Sequence, residues 1–245
     1  MNDVLMFLAE SGIDWAKKHI ATEIMSAGRN SISTEDSVIA VRYLNDLANK
    51  GDDDALLALG ALYYTGAGDY IEQDYSKALY YYEKAAEKSE LNEHWALNNL
   101  GYCYYYGRAC EVDYKKAYSC FALAAAHGNS NAMYKLGDMY YYGNYVDKDI
   151  DASFYWYSYA KAIDNNVDDD YQGFLTASIA MRLGRAYLYG EGTEIDLFKA
   201  LFELRLAEIL FYKQILMNDS FSIDQLPKVK QLLKETLEEL DEMIN

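Results

Sequence analysis

The stretch ALLALGALYYTGAGDYIEQDYSKALYYYEKAAE, Ala55 to Glu87, decides the fold. Ala55, Leu59 and Tyr63 recur every four residues and so share one apolar stripe of a helix, while Gly60 beside Leu59 leaves room for a second helix to approach. Gly66 ends this helix, because glycine tolerates the left-handed conformation a helix terminus often needs. Asp74 then opens a second helix by accepting from its free N–H groups. Ala78, Tyr81, Tyr82, Ala85 and Ala86 form the stripe of that second helix. The stretch is therefore a helix pair, A followed by B.

The pair repeats at intervals of about forty residues, the period of stacked helical arrays. Leu-Gly stands at Leu59-Gly60, Leu100-Gly101, Leu136-Gly137 and Leu183-Gly184. Ala55, Ala96, Ala132 or Ile179 lies four residues before each Leu, and Tyr63, Tyr104, Tyr140 or Tyr187 three after each Gly. Gly66, Gly107, Gly143 and Gly190 follow. The start of helix B recurs as Asp74-x-x-Lys77-Ala78, Asp113-x-x-Lys116-Ala117 and Asp196-x-x-Lys199-Ala200, with Lys148-x-x-Asp151-Ala152 read as the worn copy. A second helix B stripe runs through Ala117, Cys120, Phe121, Ala124 and Ala125.

Four copies are expected, at 53–90, 94–128, 130–166 and 177–213, within a repeat region of 53–217. Residues 1–52 read as a degenerate N-terminal helical repeat or cap: Ala40, Tyr43, Leu47 and Ala48 fit helix B spacing, and Asp14 to Met25 fits a worn helix A. Residues 218–245 read as a C-terminal capping helix with Leu226, Val229, Leu233, Leu237 and Leu240 on one stripe, since terminal units of a solenoid need a polar-backed cover.

The combination Ala-x-x-x-Leu-Gly-x-x-Tyr-x-x-Gly, Asp-x-x-Lys-Ala and Tyr81-Tyr82-Glu83-Lys84-Ala85-Ala86-Glu87 resembles the Sel-one-like repeat of the tetratricopeptide superfamily. The resemblance implies an all-α, right-handed α-solenoid of antiparallel helix pairs that works as a protein-binding scaffold, not as an enzyme. A secreted, cysteine-rich branch of that family staples each repeat with a disulfide. This chain departs from it, having only Cys103, Cys110 and Cys120, an odd number without a CxxC spacing.

With 51% apolar residues the chain has material for a packed core, and a net charge of −17 repels phosphate backbones and anionic membranes. The partner expected is a protein or peptide, with no nucleic acid and no membrane. No basic residue precedes Lys17, the apolar stretch Val4 to Ala9 is short for a signal peptide, and no apolar run reaches a membrane span. A cytoplasmic location with reduced thiols is the expectation.

Chemical motifs are weak. Gly66-Ala67-Gly68 and Gly190-Glu191-Gly192 lack the strand and lysine of a phosphate loop and fall where the repeat turns. Asp164, Asn166, Asp168 and Asp170 mimic calcium-loop ligands, but Asp169 replaces the loop glycine and Leu175 the bidentate Glu. His19, His94 and His127 have no partner at metal-ligand spacing. No catalytic residue, metal or cofactor is expected.

At about 100° per residue, positions flanking the Leu-Gly stripe reach the opposite face of helix A. There stand Trp95, Asn98, Tyr102 and Tyr105, then Tyr134, Asp138 and Tyr141, then Met181 and Arg185, a set too aromatic for a plain solvated face. The resemblance places them in a concave groove, whereas packing of successive A helices would bury them. As a groove they suit a Lys/Arg-bearing peptide or protein through aromatic contact, cation–π attraction and steering. Two other functions fit the chain: a small acidic immunity or inhibitor protein that neutralises a basic toxin, and a hydrolase. The hydrolase needs a nucleophile and base in reach, which the sequence does not show.

Overall fold

The computed structural model describes residues 3–26, 33–66, 71–87, 93–164, 173–217 and 219–244. Gly68 of the glycine turn and Asn166, Asp168 and Asp170 of the calcium-like segment lie outside them.

The described helices are α1 (Asp3–Glu10), α2 (Asp14–Ser26), α3 (Thr34–Asn49), α4 (Asp53–Thr65), α5 (Tyr75–Ala86) and α6 (Glu93–Tyr106), followed by α7 (Tyr114–Ala126), α8 (Ser130–Tyr142), α9 (Ile150–Asp164), α10 (Gly173–Tyr189), α11 (Leu197–Leu216) and α12 (Ser220–Ile244). They form two compact units, Met1–Ala124 and Ala125–Asn245. In the first, α2 packs on α3, α3 on α4, α4 on α5 and α5 on α6; in the second, α8 packs on α9, α9 on α10, α10 on α11 and α11 on α12. The Val4 to Ala9 stretch forms most of α1, which buries Ala9 against α2 and α3.

The Leu-Gly dipeptides carry the packing. Leu59, Leu100, Leu136 and Leu183 are all buried. A Cβ on Gly137 would lie 2.5 Å from the Tyr157 ring, and Gly60 meets Tyr82, Gly101 meets Phe121 and Gly184 meets Leu204 in the same way. The glycine thus sets how closely helix B lies on helix A. At the end of α8, Gly143 takes φ 72° and donates its N–H to the Met139 carbonyl, closing the helix with a left-handed cap.

Helix B begins as its Asp predicts. The Asp74, Asp113 and Asp196 carboxylates accept from the N–H of Lys77, Lys116 and Lys199 at 3.0, 2.9 and 2.9 Å. The worn third copy corrects the expected register by one residue: Asp149, not Lys148, takes the cap position and accepts from the Ala152 N–H at 2.9 Å, and Ser153 fills the buried place of the alanine. In α12, Leu226, Val229, Leu233 and Leu240 are buried, but Leu237, expected on the same stripe, is 39% exposed.

Candidate functional site

In the first unit, α6 lays Trp95, Asn98, Tyr102 and Tyr105 along one stripe by their three- and four-residue spacing. Trp95 is half-exposed and lies 5.2 Å from the His94 ring. Tyr102 stacks on Tyr106 at 6.0 Å, and Tyr105 meets Tyr106 at 4.9 Å and Tyr114 at 5.2 Å. Phe121 backs both, its ring edge-on to Tyr102 at 5.5 Å and Tyr105 at 6.4 Å. The rings are therefore a supported array with one exposed side. Asn98 is buried, and among the described residues its Oδ1 has no hydrogen-bond partner. Arg108, which the sequence reading missed, lies over the Tyr75 ring at 4.5 Å and the Tyr106 ring at 5.9 Å. It extends the array beyond α6 by cation–π contact.

The second unit arranges its members differently. Tyr134, Asp138 and Met181 are buried, whereas Tyr141 and Arg185 reach the surface. Asp138 accepts from Tyr157 Oη at 2.8 Å and pairs with Arg182 at 3.1 Å and Lys135 at 3.3 Å. Burial opposes the charge on Arg182, but Asp138 and the surrounding tyrosines outweigh it and raise its pKa. Arg185 donates to Tyr141 Oη, lies over its ring at 4.7 Å and pairs with Glu191 at 2.9 Å. Here successive A helices, α8 and α10, are knitted together by a polar network. Nothing in the spacing signals it, because Arg182 is 44 residues from Asp138. Met181, Arg182, Arg185, Tyr189, Lys228 and Glu235 line a recess of about 500 Å³ with more basic than acidic groups.

The thiols are not activated nucleophiles. Burial pushes Cys103 up to about 12 and Cys120 up to about 11, and it also raises Cys110. Because a raised thiol favours the neutral folded form, the contribution of Cys103 is complete below its ordinary value of about 9 and is lost as pH rises from there to about 12. Iodoacetamide at pH 8 is expected to modify Cys110 well before Cys103, read by peptide mass mapping. Equal labelling rates would show that the Cys103 site opens freely. Helical signal is expected to fall above about pH 9 as Cys103 and Tyr64, the latter pushed up to about 12 by burial, are forced to ionise.

Stacked helix pairs with these Leu-Gly contacts and Asp caps define a helical-repeat protein. The Sel1 repeat model matches residues 53–90, 96–129, 130–165 and 179–202, more than half of the chain, and the chain belongs to this family. The family is generally one of non-enzymatic protein-interaction adaptors and scaffolds. The chain is 33% identical over 134 residues to the ERAD-associated E3 ubiquitin-protein ligase component HRD3B of Arabidopsis thaliana, covering 54% of this chain and 20% of that protein. It is 28% identical over 117 residues to the chitin synthase regulator SKT5 of Saccharomyces cerevisiae, covering 48% of this chain and 16% of that one. The match thus spans a fifth or less of these curated relatives.

Among solved structures, a Sel1 repeat protein from Oxalobacter formigenes superposes with a TM-score of 0.64 at 23% identity, over 82% of this chain and 76% of that one. The protective antigen c5321 of uropathogenic Escherichia coli, which displays an SLR fold, gives 0.58 at 22% identity, over 98% and 56%. Both likenesses concern the fold. Among the described residues, no helix is long and apolar enough to cross a membrane.

Proposed function

We propose that this chain is a non-enzymatic adaptor that holds a Lys- or Arg-bearing peptide or protein segment against the aromatic stripe of α6. The observation that carries this reading is the half-exposed Trp95 on the same stripe as Tyr102 and Tyr105, two rings that are backed by Phe121 and so lose little freedom on binding. Asn98, on the same stripe, is buried and lies beneath this surface. Acidic residues outnumber basic ones in both units, which steers a basic segment inward. In the second unit, Tyr141 and Arg185 are the surface members, whereas Tyr134, Asp138 and Met181 are buried. The two curated relatives are named as a ligase component and a synthase regulator, roles in the service of another protein. The working location of the adaptor is the cytoplasm.

Partners captured from the protein's own cells on the tagged chain, and then titrated as purified proteins, test the reading. Trp95→Ala or Tyr105→Ala is expected to weaken binding by about 1–3 kcal/mol while leaving the melting temperature near that of the parent. Raising salt should slow association with a basic partner. Full-strength binding by both folded variants would reject the α6 face.

A further inference from the structure

Helix α11 is apolar on two opposite sides. Its inner seam, Ala200, Leu204, Ala207 and Phe211, is fully buried under α10 and α12. Its outer seam is Phe198, Phe202, Arg205, Ile209, Tyr212 and Leu216, with the five apolar members 68, 66, 65, 44 and 85% exposed. The outer spacing alternates four and three residues throughout, which is the a/d seam of a two-stranded coiled coil. A helix with one apolar stripe needs one neighbour, and a second stripe on the far side asks for another.

We infer that the outer seam of α11 is the interface between two copies of this chain, paired antiparallel about a twofold axis at Ala207. The seam reads the same from either end, so this pairing sets Phe198 against Leu216 of the second copy, Phe202 against Tyr212 and Arg205 against Ile209. Arg205 decides the direction. A parallel pair stacks Arg205 on its own copy, whereas the antiparallel pair brings it to Glu208 of the second copy. Glu208 is already its partner within the helix at 2.8 Å. One positive and one negative side chain flanking the axis make the patch self-complementary, as a twofold interface requires.

The size suits a weak, reversible pair. The seam runs 18 residues, about 27 Å. At roughly 100 Å² per exposed large side chain, it supplies about 500 Å² of the roughly 800 Å² that each partner of a standard interface buries. The charge of −17 is not concentrated there, since α11 carries Lys199, Arg205 and Lys213 against Glu203 and Glu208. This seam is independent of the α6 face, so the two readings fail separately.

Sedimentation equilibrium of the full chain tests the pairing, with far-UV spectra and melting curves as the check on folding. A reversible monomer–dimer equilibrium is expected. Phe202→Asp, at an exposed position, should raise the dissociation constant roughly thirtyfold or more with unchanged helicity. Arg205→Glu and Glu208→Arg should each weaken the dimer, and the double exchange should restore it. A chain that stays monomeric at about 1 mM, a dimer indifferent to Phe202→Asp, or a double exchange that restores nothing would overturn the inference. A monomer that instead binds phosphatidylcholine vesicles through this seam would overturn it in favour of a lipid surface.

Discussion

Asp138→Ala is expected to destabilise the second unit by about 3–5 kcal/mol, far more than its position on the outer face of helix A suggests. The carboxylate is 5% exposed, and two cations depend on it: Lys135, 8% exposed at 3.3 Å, and Arg182, 19% exposed at 3.1 Å. Removing it leaves both charges in a poorly solvated place and strips Tyr157 Oη of its acceptor. An exposed pair such as Lys84–Glu87, at 2.7 Å, gives a contrast, because losing it costs at most about 1 kcal/mol. Replacing all three charges together, Lys135→Met, Asp138→Leu and Arg182→Met, should recover much of the loss, since apolar side chains need no counter-charge. Urea unfolding of the four proteins reads the effect, and an Asp138→Ala variant as stable as the parent would show that the network contributes nothing.

The same residue marks how far the sequence could be read. The helix pairs were legible because their signals are local: Leu-Gly four residues after a small or β-branched apolar side chain, a closing glycine, a capping Asp. Where a local signal had worn away, the register slipped by one, as at Asp149, although its six-residue distance from Gly143 matches that of Asp113 from Gly107 and points to the right cap. The candidate face was legible as a stripe but not in depth. Spacing places Tyr102 and Asp138 at the same position of their helices, two residues after the Leu of Leu-Gly, yet the ring is only partly buried and the carboxylate is fully so. Depth depends on which neighbour covers the face, and the covering groups, Arg182 and Tyr157, come from other helices. The exposed seam of α11 is of the same kind: spacing shows apolar residues on two sides of the helix but not which side a neighbour covers.

Deleting Asp219 to Asn245 is expected to have the largest effect of any change to the second unit. Helix α12 buries Leu226, Val229, Leu233 and Leu240. It also covers Phe211, which is fully buried, and its Ser222 Oγ donates to Gln214 Oε1 at 2.6 Å. At about 1.5–3 kcal/mol for each large apolar side chain, four such losses come to roughly 6–12 kcal/mol, comparable to the whole stability of an ordinary domain. The uncovered inner seam would then stand open beside the already exposed outer one, leaving α11 apolar to water on both sides, a surface that favours aggregation. The melting temperature should therefore drop by more than about 10 °C, with loss of solubility. Tyr189→Phe separates covering from tethering: it removes only the hydroxyl that contacts Glu235, and it should leave the melting temperature nearly unchanged. If the truncated chain stays soluble and melts with the parent, α10 and α11 are held by their own contacts and α12 is not their cover.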